Sequence, residues 1–185
     1  PLMLTLGVTL LSGFGQFILF AYFAPYLHQT LATSATTLSL MFLWFGAFGL
    51  AGNVGLTSWV DRLGAPRAVW LTLCLMALSL AVWPLGRHSL WAQALVMVPW
   101  ALGCFAANSA QQARLVHISP VLAPATVALN TSAIYAGQGL GAALGGVLIA
   151  QGQMLNLNYV GLALMVSAMA LSVWAARLHT RALNQ

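Results

Sequence analysis

The residues of this sequence that could do chemistry are polar side chains set into long apolar runs. Gln16, Asn53, Asn130, Tyr135 and Gln138 each stand in a stretch otherwise rich in Leu, Ala, Val, Phe and Gly. An amide or phenol surrounded by hydrocarbon is costly unless paired, so each is expected to hydrogen-bond a partner. The simplest partner is a neighbouring helix. The functional one is a polar solute held in a cavity, with aromatics such as Phe20 and Phe42 supplying apolar contact. Thr131, Tyr135 and Gln138 are spaced i, i+4 and i+7, so on a helix they share one face. Gly137, Gly141 and Gly145 recur every four residues beside them, a spacing that lets another helix approach closely. Phe42, Gly46, Gly49 and Asn53 make a weaker stripe of the same kind.

Acid–base and metal chemistry have little to work with. Asp61 is the only side-chain carboxylate, and the six basic residues are all arginines. His28, His88, His117 and His179 fall at loops or ends of apolar runs. Ser109 lacks a nucleophile motif and a base within reach, which disfavours a self-contained intramembrane hydrolase. His117 has no second ligand at useful spacing, so no metal is expected, and nothing calls for a cofactor. Cys74 and Cys104 show neither CxxC spacing nor a disulfide framework and read as packing residues.

The elements that must position the amides follow from composition. The 185 residues are 61% hydrophobic and 4% charged, with a mean hydropathy of +0.91. A water-facing surface needs about 25% charge, which a bilayer-facing one does not. A membrane helix takes roughly 20 apolar residues, so the chain holds about six. The runs are long and lack the alternation of barrel strands, so they are helices. The spans are expected at 2–27, 37–59, 68–85, 90–112, 125–150 and 157–176, with a kink at Pro99. Asp61 to Arg67 reads as a tight loop, and Arg114 to Pro124 as the longest polar connection. Trp44, Trp59, Trp91 and Trp174 read as interfacial anchors or packing. Asn130-Thr131-Ser132 fits a glycosylation pattern but lies within a span.

Arginine placement orients the bundle. With six spans, Arg62, Arg67, Arg114, Arg177 and Arg181 share one side and Arg87 lies opposite. The positive-inside rule puts the first side, and both ends of this segment, in the cytoplasm. Scattered single arginines form no basic face for nucleic acid, despite a pI near 10.1. The partners to expect are membrane lipid and a small-molecule substrate. Amides concentrate in spans one, two, four and five, whereas spans three and six carry none in their interiors. That order suggests two three-helix repeats whose third helices face lipid.

Two motifs and this span pattern together resemble the C-terminal half of a major facilitator superfamily transporter, closest to drug:proton antiporters and arabinose-efflux-like permeases. Asp61-Arg62-Leu63-Gly64-Ala65-Pro66-Arg67 is similar to the superfamily's loop signature G-x-x-x-D-[RK]-x-G-[RK]-[RK]. Asp61, Arg62 and Gly64 match, and Arg67 supplies a late basic residue. Thr57 replaces the leading glycine, and Ala65 and Pro66 replace basic residues. The stretch Gln111 to Gly146 looks like the tenth-to-eleventh helix region of such exporters.

The resemblance implies an all-α membrane domain of two inverted three-helix repeats, one half of a major facilitator fold. It implies an N-terminal six-helix half outside this chain. It also implies a bacterial inner-membrane location, and efflux of a drug-like compound or sugar by alternating access, coupled to protons. Because no Asp, Glu or His lies within an expected span, the proton carrier is expected in the other half. Alternatives are a half-size transporter that homodimerises and, from another class, a six-helix membrane enzyme. A water channel would carry paired NPA loops, which are absent here.

Overall fold

A computed structural model describes the backbone of residues 2–183, and their side chains except at 56, 57, 59–61 and 179–183. The helices are α1 (Leu2–Phe20), α2 (Phe23–Leu31), α3 (Ala35–Leu63), α4 (Ala65–Val82), α5 (Leu90–Val96), α6 (Val98–Ile118), α7 (Ala123–Ala150) and α8 (Leu157–Leu183). Two 3-10 turns, Trp83–His88 and Met154–Asn156, join them, and no strand occurs among the described residues. Six units are long and apolar enough to cross a membrane: Leu2–Leu31, Ala35–Gly55, Ala65–His88, Leu90–Ile118, Ala123–Ala150 and Met154–Leu178.

Prolines explain why two spans are each written as two helices. Pro25 has no N–H to give the carbonyl of Ala21, and the chain makes a turn at residues 21–22 before resuming as α2. Pro99 likewise offers nothing to the carbonyl of Leu95, and Met97 forms the step between α5 and α6. Helices elsewhere run further than the sequence suggests. The backbone stays helical through Leu63, so Asp61 and Arg62 sit on α3 rather than in a loop. Only Gly64 separates α3 from α4, and its φ of 81° lies in the left-handed region glycine favours. The α6 helix continues to Ile118, which takes Arg114 out of the expected loop and buries it at 2% exposure.

The packing is that of two inverted three-helix repeats. The first span (α1) lies against the fifth (α7) and sixth (α8); the fourth (α6) lies against the second (α3) and third (α4). Each repeat's first helix is thus embraced by the second and third helices of the other. The third and sixth spans, α4 and α8, meet each other across the pseudo-symmetry. Three spans per repeat is an odd number, so the second repeat enters from the opposite side and is inverted.

Missing side chains make these contacts possible. A Cβ on Gly137, Gly141 or Gly145 would run into the carbonyl oxygens of Leu10, Phe14 and Ile18, one per turn of α1. Gly15 and Gly161 oppose each other between α1 and α8, where a Cβ on Gly15 would stand 2.8 Å from the Gly161 carbonyl oxygen. At the counterpart seam between α6 and α4, a Cβ on Gly103 would stand 2.7 Å from the Thr72 carbonyl oxygen.

Coverage differs from the expected pattern. The third span is the best covered, with half of its apolar window buried, against 22% for the second span and 17% for the fifth. It presents Val69, Leu73, Met76 and Leu80 inward, while Trp70 and Leu78 point out. Two amides outside the sequence-based set are also fully buried. Gln93 lies on α5, and Asn158, in the first turn of α8, donates to the Leu80 carbonyl at 3.1 Å.

Candidate solute cavity

A cavity of about 280 Å³ opens between the repeats. From α1 it takes Val8, Thr9, Ser12, Gly13, Gln16, Phe17 and Phe20; α6 adds Cys104, Phe105, Ala107, Asn108 and Gln111; α7 adds Ile134 and Gln138; α3 adds Phe45. The best-covered span, α4, contributes only Val69 and Leu73, and α8 nothing. Spans one and four therefore build most of the wall, while the second span adds less to it than the third. No residue lining the cavity is an Asp, Glu, His, Lys or Arg.

Its polar groups divide by how far they are already satisfied. Gln111 donates through Nε2 to the Thr5 carbonyl at 2.9 Å, while its buried Oε1 has no partner among the described residues. The Trp100 indole N–H reaches the Gln16 Oε1 at 3.4 Å, a long bond that leaves most of this amide's capacity free. Gln138 makes no hydrogen bond among the described residues. Asn108 accepts from the Asn130 amide at 3.3 Å and from Gln112 at 3.2 Å, which fixes its carbonyl and leaves its NH₂ to donate. The lining thus pairs aromatic surface with three or four amides facing a shared space. Such a lining can orient an uncharged or weakly charged organic solute by hydrogen bonds and ring contact.

Of the four amides and one phenol singled out in the sequence, Gln16 and Gln138 meet at the cavity. Asn130 stands one layer behind. It is fully buried, accepts from the Thr9 hydroxyl at 2.7 Å and donates to Asn108, tying α1, α6 and α7 together. Asn53 does not line the cavity; its Oδ1 accepts from Ser109 at 2.8 Å, joining α3 to α6. Tyr135 is 67% exposed on α7 and does not line the space that Gln138 enters. Asn108 and Gln111 were recognisable as polar but sit where an apolar run ends, so they resemble the onset of a loop. Phe42 stacks edge-on against Phe20 at 6.2 Å without reaching the cavity.

The ends of the bundle are built differently. Beyond Phe20 and Phe45, buried rings of Phe23, Tyr26, Trp83 and Trp100 close the interior, with Trp83 and Trp100 centroids 5.4 Å apart. At that end Arg87 donates to the Tyr26 hydroxyl at 3.0 Å, to the side-chain Oδ1 of Asn158 at 3.2 Å and to the Leu155 backbone carbonyl. At the opposite end Arg114 donates to the Ser172 hydroxyl at 2.9 Å and its carbonyl at 3.1 Å. Arg62, Gly64 and Arg67 of the loop motif lie at this second end, at the junction of α3 and α4. The side chains of Asp61, Thr57, Trp59, His179 and Arg181 lie outside those described. Among the described residues no group of His, Cys, Asp or Glu could hold a metal.

The described helices thus form an apolar inverted-repeat bundle around an uncharged, amide-lined cavity. The sequence model of the Major Facilitator Superfamily, a family of secondary transporters and not of enzymes, matches residues 5–184, and the chain belongs to that family.

Proposed function

We propose that this chain is the C-terminal six-helix half of an exporter that moves a small organic solute, drug-like or sugar-like, by alternating access. The observation that carries the reading is the cavity in which Gln16, Asn108, Gln111 and Gln138 surround an aromatic-lined space without fixed charge. A neutral lining suits a solute recognised by rings and hydrogen bonds, and it offers an anion no counter-charge. The poorly covered second and fifth spans support a second half as partner. Their outer faces display Leu50, Val54, Leu129, Tyr135 and Val147, all more than 45% exposed. Apolar area of this extent is what a second bundle would cover as the two halves rock about a midplane site.

No titratable carboxylate or imidazole lines the cavity, so proton coupling falls to the half outside this chain. Both ends of the segment face the cytoplasm of a bacterial inner membrane, because the exposed Arg62, Arg67 and Arg177 stand opposite Arg87. Expression of the full-length protein in cells loaded with neutral and monocationic aromatic dyes tests the reading. Export should rise with expression and fall by roughly three- to tenfold in Gln138→Leu and Asn108→Leu, the worth of one hydrogen bond each. Unchanged export in both variants at equal membrane abundance would contradict it.

A further inference from the structure

A second cavity lies on the outer surface, away from the first. It occupies about 410 Å³ between α4 and α8, at the end of the bundle where Arg114 is buried. Its walls are Pro66, Trp70, Val173 and Ala176, its floor is Ser172, and Arg67 and Arg177 stand at its rim. Both rim arginines are exposed and make no hydrogen bond or ion pair among the described residues. Behind the floor, the Arg114 guanidinium holds Ser172 by two bonds, which brings a third positive charge close beneath the surface. Most of the lining is apolar and continuous with the surface that α4 and α8 turn to hydrocarbon, where Trp70 is 45% exposed.

We propose that this groove binds the headgroup and upper chains of an anionic phospholipid. The two rim guanidiniums would take the phosphodiester as charge-assisted donors, and an acyl chain would run along Trp70 and Val173. Free phosphate fits less well, because it would leave this apolar wall uncovered. The level is also right for a headgroup. Arg67 is two residues into α4, and Arg177 lies in the last turns of the sixth span, both at the membrane border. A lipid here would bridge the third helices of the two repeats, α4 and α8, from outside. This reading needs only the membrane-spanning fold and stands whether or not the solute cavity is a transport site.

The test is a lipid titration of the detergent-purified full-length protein by native mass spectrometry. Dioleoyl-phosphatidylglycerol is compared with dioleoyl-phosphatidylcholine on wild type, Arg67→Gln/Arg177→Gln and Arg62→Gln. Wild type should prefer the anionic lipid by roughly 25-fold, about fivefold per rim arginine. The double variant should lose that preference, while Arg62→Gln, exposed at the same end but outside the groove, should keep it. A preference surviving in the double variant, or none in wild type, overturns the proposal. Displacement of the lipid by millimolar inorganic phosphate would also overturn it, because the apolar wall would then contribute nothing. Melting temperature of both variants, read by tryptophan fluorescence without added lipid, should stay within about 2 °C of wild type; a larger fall shared by both would assign the arginines to folding and overturn the site.

Discussion

The seam between α1 and α7 and the seam between α6 and α3 are counterparts under the repeat, yet they are built to different tolerances. On the first, Gly137, Gly141 and Gly145 meet three successive carbonyls of α1, and the Tyr22 hydroxyl closes the row by donating to the Ala142 carbonyl at 2.7 Å. On the second, a glycine Cβ would run into backbone at Gly52, against Leu102, and at Gly49 would only touch the Ala101 carbonyl oxygen at 3.5 Å. One turn away Gly49 faces the flexible ring of Phe105, and Gly46 and Gly55 face open space. Side-chain bonds from Trp44 to the Ala94 carbonyl and from Ser109 to Asn53 hold α3 beyond that point. The same topology thus gives one helix packed backbone to backbone along several turns and another held by one close backbone approach together with side-chain bonds.

The largest effect should come from filling the close approaches. Gly141→Leu drives a side chain into the Phe14 carbonyl and should destabilise the bundle by roughly 3 kcal/mol or more, with loss of folded protein in detergent. Gly52→Leu should cost a similar amount at its one contact point. Yield by size exclusion and thermal unfolding by tryptophan fluorescence report both. Wild-type behaviour of Gly141→Leu would mean the seam is not closely packed.

Next comes the network behind the cavity. Asn130→Leu removes the bonds to Thr9 and Asn108 and leaves the buried Thr9 hydroxyl without this acceptor; in membrane bundles such bonds are worth about 0.6–2 kcal/mol each. Thermal unfolding should fall accordingly, and export should fall with it because Asn108 loses its anchor. Intact stability with lost export would instead move Asn130 into the site itself. The smallest effect is expected at Gly46→Ala. Its Cβ meets nothing within 4 Å, so stability should change by less than about 0.5 kcal/mol or rise slightly from helix propensity. A large loss there would show that the α3 seam extends further than its contacts.

The sequence carried the span count, the glycine seam and the inverted-repeat order because each rests on long apolar runs or fixed spacing. It carried Gln16 and Gln138, but it could not separate them from Asn53 and Asn130. All four are amides in apolar helices, and only the neighbours reveal which are already paired. Tyr135 parts from Gln138 for a related reason. A shared helical face spans roughly 100°, wide enough for Gln138 to enter the cavity while Tyr135 points outward. Arg114 reads as a loop residue because polar Asn108, Gln111 and Gln112 precede it. The helix nevertheless continues, since its polar face is satisfied by Thr5 and Ser172 on neighbouring helices.

The central claim, that the cavity between the repeats receives the solute, can be read at one residue. In full-length protein with Cys74 and Cys104 replaced by Ser, Gln138→Cys can be labelled with a membrane-permeant maleimide in the presence of an exported dye, beside Val166→Cys on the outer face of α8. Saturating dye should slow labelling at position 138 by about tenfold or more and leave position 166 unchanged. Equal labelling rates at 138 with and without a dye that the same protein exports would place the solute elsewhere.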